Sequence, residues 1–479
     1  MPIAMNRAIL GGLLVAASFA LLPACSSSKP VAEEEASVPD RSAQPSQKTP
    51  PGVARTGISE INDTKVKTVQ FTLNGLELTD PIVEMGARNS LLLQFDILED
   101  DVRDLRYTLI HCNKDWRPSQ LSPIDYLDGF TEGDVTEYDL SFNSQTAYTH
   151  YRLTLPNQYV RWTKSGNYLL EINDDYAEEP LMRLRFVVVE PRISIQVNPT
   201  RPADVSKDRT HQEFDVAVGL RDVPLENPRR NLTLTVMQNG DWRTAMYNVP
   251  PRFIRDELLL WDYQDKLVFP AAREWRTLDL RTLSSSGGRV ASIDQSGGGF
   301  DVQLFPEEPR TGYAPETRID LNGRYVIESF DNSRVRTIIE MDTTVASRQF
   351  AQTLRQQDRT NQSLRAEYAD VLFSLKAPAG LIDGDVHLYG ALTNYALDET
   401  TLGVYNPLVN AYVFKQSLKQ GFYDYAFVTE DAEGFRPDWT DTEGNTFQTE
   451  NSYQFLLYYR PYGERYDRVI GYEAIQVNR

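Results

Sequence analysis

The stretch HCNKDWRPSQLSPIDYLDGF, from His111 to Phe130, has the residue types that most resemble an active site. A catalytic Cys–His pair needs both side chains within hydrogen-bond reach, with a third group orienting the imidazole. Because RYTLIHC alternates like a strand, His111 and Cys112 should point to opposite faces. The sequence ties no other histidine to Cys112. We therefore expect a buried structural thiol and no catalytic residue.

Metal and cofactor chemistry find little support in the sequence. The 4 histidines and 2 cysteines are scattered and form no ligand-spaced zinc set. The segment DTEGNTFQTE resembles the end of a calcium loop, but its first ligand position would be Trp439, which cannot coordinate calcium. No nucleophile elbow, phosphate loop or dinucleotide fingerprint occurs. We expect no metal, no cofactor and no small-molecule substrate. A hydrolase that uses paired carboxylates stays open as an alternative, because the sequence does not show how far apart two carboxylates lie in space.

The elements that must position these residues are short β-strands. In SLLLQFDIL the residues Leu91, Leu93, Phe95 and Ile97 alternate with the residues of the opposite face. The segments DLRYTLIHC, YTHYRLTLP, GNYLLEIND and LMRLRFVVVEP follow, separated by turns rich in Gly, Pro, Asn and Asp. Strands at this spacing predict an immunoglobulin-like β-sandwich over residues 61–192.

Two further β-rich blocks follow in the sequence. Residues 193–345 contain EFDVAVGL and NLTLTVMQNG, and Asn239-Gly240 is a strong hairpin signal between two strand-like runs. Residues 346–366 are polar and predict a linker, and residues 367–479 predict a C-terminal, aromatic-rich sandwich. The predicted fold class is mainly β: tandem immunoglobulin-like or early-set β-sandwich domains.

The N-terminus predicts export and a lipid anchor. Arg7 and an apolar run from Ala8 to Leu22 form a signal peptide over residues 1–24, too short for a comfortable transmembrane helix. The run ends in LPAC, which resembles the lipobox of bacterial lipoproteins and predicts lipidation of Cys25. Residues 25–60 predict a disordered tether, and about 32 residues of such a coil span roughly 30 Å. With Cys25 lipidated, Cys112 is alone and no intrachain disulfide can form.

Composition excludes one class of partner. The net charge of -19 argues against binding the phosphate backbone of nucleic acids, which needs basic faces. Aromatic residues in long loops are instead typical anchors of protein interfaces. We expect partner contacts from Trp116, Tyr126, Phe130, Trp242 and Trp261; the alternative is that these rings fold under their loops as satellite cores.

Several stretches together resemble the plug protein family of the type IX secretion system, the outer-membrane export machine of Bacteroidota. They are YTLIHCNKDWRPSQLSPIDYLDGF, YTHYRLTLPN, SGNYLLEI, NPRRNLTLTVMQNGDWRTA, LVFPAAREWRTLDLRTL, GDVHLYGALTNY, LKQGFYDYAFV and TENSYQFLLYYRPYGERYDRVIGY, in this order from Val66 onward. One departure is Ala271-Ala272-Arg273, where the family suggests a turn containing Gly and Asn.

The resemblance implies a non-catalytic role. Family members block the periplasmic mouth of a large outer-membrane translocon β-barrel when no cargo is exported, so the implied partners are that barrel and, through the lipid, the membrane. The implied location is the outer membrane, with the periplasmic leaflet favoured. The last block also resembles sandwiches found beside carbohydrate enzymes, so an outer-membrane carbohydrate-binding lipoprotein is the alternative.

Overall fold

The computed structural model describes residues 60–221, 223–255, 257–311, 320–331, 363–378 and 382–478. The signal peptide, Cys25, the tether up to residue 59 and most of the predicted linker lie outside these ranges. Among the described residues, no helix is long and apolar enough to cross a membrane.

The first sandwich, residues 60–190, has two facing sheets and a two-stranded ribbon. One sheet has the order β1-β12-β11-β5-β7 with β3 beside β12, the other has the order β2-β4-β9-β8, and β6 pairs with β10 in the ribbon. A short helix, α1 (Pro123–Tyr126), precedes the ribbon. The strands are β1 (Glu60–Ile61), β2 (Val66–Leu73), β3 (Ile82–Glu84), β4 (Leu91–Ile97), β5 (Leu105–Cys112), β6 (Leu127–Gly129), β7 (Glu132–Asp134), β8 (Glu137–Leu140), β9 (Thr149–Leu155), β10 (Val160–Trp162), β11 (Gly166–Asp174) and β12 (Met182–Val189).

The alternation read from the sequence sets the core of this sandwich. Leu91, Leu93, Phe95 and Ile97 of β4 are all fully buried and pack in one cluster with residues of the opposite sheet. Leu93 pairs with Leu153 of β9, which places both residues on the inner face. The period of two therefore fixes which face of each strand is buried.

The middle sandwich combines residues 193–270 with residues 451–477. Its sheets have the orders β13-β14-β18-β17, with β19 beside β14, and β16-β15-β30-β31. The helix α2 (Pro228–Asn231) leads into β15. The strands are β13 (Ile195–Thr200), β14 (His211–Gly219), β15 (Leu232–Gln238), β16 (Asp241–Val249), β17 (Phe253–Arg255), β18 (Leu258–Trp261), β19 (Val268–Pro270), β30 (Asn451–Tyr459) and β31 (Arg468–Val477).

The inserted sandwich, residues 276–443, lies between the two parts of the middle sandwich in the chain. Its sheets have the orders β20-β28-β23, with β25 and β29 beside β28, and β21-β22-β24-β27-β26. The strands are β20 (Arg276–Asp279), β21 (Val290–Asp294), β22 (Phe300–Leu304), β23 (Tyr325–Ile327), β24 (Tyr368–Lys376), β25 (His387–Tyr389), β26 (Val404–Asn406), β27 (Ala411–Lys419), β28 (Gly421–Glu430) and β29 (Pro437–Asp438).

The tandem-sandwich fold class is confirmed, but the strand pairing departs from the two continuous blocks predicted after residue 192. β15 pairs with β30 along its whole length, from Leu232 opposite Tyr459 to Gln238 opposite Tyr453. The hairpin of β30 and β31, which we call the last hairpin, lies in the predicted C-terminal block but belongs to the middle sandwich. The strands β20 to β23 lie in the predicted middle block but belong to the inserted sandwich. Periodicity identifies a strand but carries no information about a partner that lies so far along the chain. We therefore propose the residue ranges given above as the domain limits.

Candidate interaction surface

His111 and Cys112 lie at the end of β5 and face different surroundings. The His111 ring contacts Tyr126, Tyr168 and Tyr466. Its Nε2–H donates to the carbonyl of Ser165 at 3.2 Å, and its Nδ1 lies 2.9 Å from the Ser119 hydroxyl. Burial lowers the pKa of His111 to about 4, so the ring is neutral at pH 7.

Cys112 belongs to a separate apolar cluster. Its side chain is fully buried among Trp116, Val187 and Leu456, and burial raises the pKa of the thiol to about 12. A thiol with such a pKa holds almost no thiolate, the species that attacks electrophiles. The expected buried structural thiol is therefore present. A Cys–His nucleophile pairs a thiolate with an imidazolium, whereas here Cys112 is a neutral thiol and His111 a neutral imidazole.

Trp116 corrects the expectation of an exposed anchor. Its ring is 0% exposed and lies edge to face against Trp242 of the middle sandwich, with 4.7 Å between ring centroids. The Arg185 guanidinium carbon lies 4.3 Å above the same ring. Residue 116 itself adopts φ 65°, a left-handed conformation that is uncommon for a residue other than glycine. Trp116 is an interface residue, but both sides of this interface belong to one chain.

The residues around Trp116 also bind to the middle sandwich. The Lys114 backbone N–H donates to Asp467 at 3.1 Å, and its ammonium donates to the Thr233 hydroxyl at 3.1 Å. Arg460 donates to the Asn113 side chain at 3.2 Å. The polar residues that suggested an active site therefore join the first sandwich to the middle sandwich.

Tyr126 and Trp261 are also core residues rather than exposed anchors. Tyr126 is 5% exposed, belongs to the core of the first sandwich, and donates its hydroxyl proton to the Leu109 carbonyl. Trp261 is 0% exposed within the core of the middle sandwich, and its indole N–H donates to the Val249 carbonyl. Trp242 is half-buried between Trp116 and Tyr247. Tyr126 and Trp261 are thus buried by their own sandwiches, whereas Trp116 and Trp242 meet at the boundary between two sandwiches.

Phe130 is the one predicted anchor that the structure exposes. It follows the ribbon of β6 and β10, and its ring is 69% exposed. Its backbone N–H donates to the carbonyl of Tyr159, whose side chain is 56% exposed. Near the start of β6, Ile124 in α1 is 86% exposed. We call residues 122–130 and 157–163 together the Phe130 loop pair; it presents apolar side chains to solvent.

The Phe130 loop pair is held by its own backbone. Gly129 adopts φ 120°, and a Cβ there would lie 2.0 Å from the Tyr159 carbonyl oxygen, so only glycine fits. The Asn157 side-chain oxygen accepts the N–H groups of Tyr159 and Val160 at 2.9 and 3.1 Å. Asp125 pairs with Arg465 of the last hairpin at 3.1 Å. The exposed rings are therefore presented by an ordered support, which lowers the entropy lost when they are buried by a partner.

Sequence reasoning missed Ile124 and Tyr159 because neither stands out by type. The signal that could have found them is the turn chemistry beside them. Ser122-Pro123 predicts a helix start, and Pro156-Asn157 predicts a turn directly after a strand. Both place the next apolar residue, Ile124 or Tyr159, outside an alternating strand, so no alternation assigns it to a core.

The aromatic strand GFYDYAFV offers no partner-facing side. Tyr423, Tyr425 and Phe427 of β28 lie in the core of the inserted sandwich. Ala426 faces the other way and is buried in a second cluster with Trp275, Tyr389 and Trp439. Both faces of this strand are thus covered within the chain, which removes the aromatic platform that a carbohydrate-binding role would use there.

The segment that resembles a calcium loop is a buried ion-pair network. Glu443 accepts hydrogen bonds from Arg276 at 2.8 Å and from Arg310 at 2.6 Å. Burial raises the pKa of this carboxyl, but the two arginines outweigh burial and lower it to about 2. Within the described ranges, no group of three or more His, Cys, Asp or Glu side chains could hold a metal ion.

The turn Ala271-Ala272-Arg273, which departs from the family pattern, has an unusual backbone conformation. Ala272 adopts φ 54° and is buried. Its N–H donates to the side-chain oxygen of Asn445 at 2.9 Å, and its carbonyl accepts from Thr446. Gly and Asn tolerate this left-handed conformation better than Ala, which gives the physical reason for expecting them at such a turn.

Comparison with known proteins identifies the first sandwich. Residues 66–190 match the model described as type 9 secretion system plug protein 1st domain. The chain is also similar to a hypothetical protein from Parabacteroides merdae of known crystal structure, with 28% identity and a TM-score of 0.78; the match covers 88% of this chain and 99% of that chain. No curated protein matches. Residues 66–190 therefore form a type 9 secretion system plug protein 1st domain, which bears out the family resemblance and supports a role in type 9 secretion at the cell envelope.

Proposed function

We propose that this protein is a periplasmic plug, which occludes the mouth of the type IX secretion outer-membrane translocon when no cargo is exported. The observation that carries this proposal is the match of the first sandwich to the first domain of plug proteins. The partner is the translocon β-barrel, and gating depends on protein–protein contact, without a bond being made or broken.

The packing of the chain supports occlusion by a stiff body. Trp116 and Cys112 of the first sandwich share one apolar cluster with Leu456 and Val469 of the last hairpin. Ala272, in the segment that connects the middle sandwich to the inserted one, likewise clusters with Tyr389 of the inserted sandwich. Cores that continue across sandwich boundaries resist bending, because bending would open voids in close-packed interiors.

The Phe130 loop pair supplies a surface on which that body can be recognised. Phe130 and Tyr159 stand in solvent on a support fixed by Gly129 and Asn157. Exposed aromatic rings of this kind are the residues that dominate binding energy at protein interfaces. We propose Phe130, Tyr159 and Ile124 as the first contacts with the barrel.

A lipid anchor at Cys25 would keep the plug near its site. Two or more acyl chains hold a protein stably at a membrane. A tether with a span of roughly 30 Å raises the local concentration of the body beside the barrel without imposing a single pose. We propose attachment to the outer membrane, with the body on the periplasmic side.

Affinity purification from solubilised outer membrane tests the proposal. The tagged full-length protein should recover the translocon barrel, and cells that lack the protein should admit a small hydrophilic dye or antibiotic that intact cells exclude. A Cys25→Ser variant separates anchoring from binding: it should still bind the purified barrel but be lost from the membrane fraction. Failure to recover the barrel, together with retention on a glycan column, would favour the carbohydrate-binding alternative.

A further inference from the structure

The first and inserted sandwiches meet at a buried cluster of charged and polar side chains around Asp96. Asp96 lies on β4 of the first sandwich and is 0% exposed. Its Oδ1 accepts from the Nδ1–H of His150 at 2.6 Å, and its Oδ2 accepts from Lys419 at 2.5 Å and from the Tyr368 hydroxyl at 2.6 Å. Lys419 and Tyr368 belong to the inserted sandwich, so one carboxylate is held by both.

The cluster is close to electrically balanced and largely satisfied. Lys419 is fully buried, faces the ring of Tyr148 at 4.1 Å, and compensates the negative charge of Asp96. Tyr368 donates its proton to Asp96, so its oxygen accepts from the Thr68 hydroxyl at 2.6 Å. Burial raises the pKa of Asp96, but Lys419 and His150 outweigh burial and hold it below its usual range.

A bulge in β2 brings further backbone into the same junction. The register of β2 against β4 shifts between Lys67 and Gln70, and Thr68 adopts φ 53°, a rare conformation for a β-branched residue. The next residue, Val69, accepts a hydrogen bond from the Tyr325 hydroxyl at 2.9 Å, and Gln70 donates to the Tyr325 carbonyl at 3.3 Å. Three successive residues of the bulge thus contact the inserted sandwich.

We propose that the Asp96 cluster is a latch that fixes the orientation of the inserted sandwich on the first sandwich, so that the two act as one rigid unit. Apolar contacts are non-directional and fix orientation only through the fit of the two surfaces. A buried carboxylate with three donors adds a directional constraint, since a small displacement leaves an uncompensated charge in the interior. The latch is a property of the fold and does not depend on the proposed plugging role.

Hydrogen exchange can report on the latch separately from the cores. The Phe142 N–H donates across the junction to the Leu364 carbonyl, and the Gln145 N–H donates to the Glu367 carboxylate. These amides exchange when the sandwiches separate, whereas the amides of β4 and β9 exchange only when the first core opens. Peptides covering residues 140–148 and 91–97 distinguish the two events.

The test substitutes Lys419 and compares it with a surface lysine on the same strand. Lys419→Met leaves Asp96 buried without its cation, and exchange over residues 140–148 should rise about tenfold or more while residues 91–97 stay protected. Lys415→Met is the matched control: Lys415 pairs with Asp370 at 2.8 Å, but the two side chains are 63% and 41% exposed, so exchange should match the wild type.

A milder substitution keeps the proposal testable if Lys419→Met does not fold. Tyr368→Phe removes one donor to Asp96 and keeps the ring, and should raise exchange over residues 140–148 by a smaller factor. Wild-type exchange at the junction in both variants would overturn the latch. The same conclusion would follow if residues 140–148 and 91–97 gained exchange equally, because the junction would then have no separate opening.

Discussion

The rings of Trp116 and Trp242 meet edge to face at 4.7 Å across the boundary between the first and middle sandwiches. Arg185 stands over both rings, with its guanidinium carbon 4.3 Å from the Trp116 centroid and 5.5 Å from that of Trp242. The stretch around Trp116, whose composition suggested catalysis, is therefore part of an interface within the chain. The burial of Trp116 in this interface is the basis of the first prediction.

Trp116→Ala should lower the free energy of unfolding by about 3–5 kcal/mol, because it removes a fully buried ring and leaves a cavity. Urea or guanidinium unfolding monitored by circular dichroism measures the change. Phe130→Ala is the control and should change stability by less than about 0.5 kcal/mol, since its ring is in solvent. A Trp116 variant with wild-type stability would contradict the packed boundary.

Phe130→Ala combined with Tyr159→Ala should weaken binding to the purified barrel by about tenfold or more, or about 1.4 kcal/mol, if the loop pair contacts the partner. Both rings are largely exposed, so folding should be preserved. Surface-immobilised binding measures the affinity. Tyr176→Ala, which removes an aromatic ring that is 95% exposed elsewhere on the same sandwich, is the matched control and should bind normally. Equal affinities for all variants would place the interface elsewhere.

Stability should fall as the pH is lowered from about 6.5 to about 4, in part because of His111. Burial lowers its pKa to about 4, so in this window the unfolded chain binds a proton at this histidine and the folded chain does not. The contribution is about 3 kcal/mol when fully developed. Denaturant unfolding at pH 7.5 and pH 4.5 measures the loss. His111→Asn should show a smaller loss over this interval; an unchanged loss would contradict the assignment.

Asp424 should have the opposite effect at higher pH. Burial, followed by the nearby negative charge of Asp320, raises its pKa to about 8, so the folded chain keeps a proton that the unfolded chain has already released. Its contribution to stability therefore declines as the pH rises from about 4 to about 8. Between pH 7 and pH 9 the loss should be about 1 kcal/mol.

Asp424→Asn removes this titration while keeping an oxygen that can accept from the N–H of Gly323, as Oδ2 of Asp424 does at 3.2 Å. The variant should be less sensitive to pH between 7 and 9 than the wild type in denaturant unfolding. A variant that retains the full wild-type slope would show that another group titrates in this range.

Cys112 should resist thiol reagents in the folded protein. The thiol is buried and its pKa is raised to about 12, so labelling should require opening of the first or middle sandwich. The measurement is the rate of reaction with an aromatic disulfide in a Cys25→Ser background, with and without denaturant. Rapid labelling under native conditions would reopen the possibility of a reactive Cys112 and argue against the proposed non-catalytic role.

The sequence by itself determined the strands and their buried faces, because alternation in a stretch such as Leu91–Ile97 is a local property of side-chain direction. It also placed Cys112 in the interior, and co-linear motifs from Val66 onward indicated the family that the match of residues 66–190 confirms. The signal peptide, Cys25 and the tether stay predictions, since they lie outside the described residues.

Only the tertiary structure decided which aromatic rings are covered. Trp116, Tyr126 and Trp261 are similar in sequence context to Phe130, yet three are buried and one is exposed. The difference depends on which distant segment packs above each ring, and the hairpin that covers Trp116 is the last one of the chain. Side-chain type sets how strongly a ring favours burial, but the energy is gained only where the long-range pairing of strands supplies a surface to bury it against.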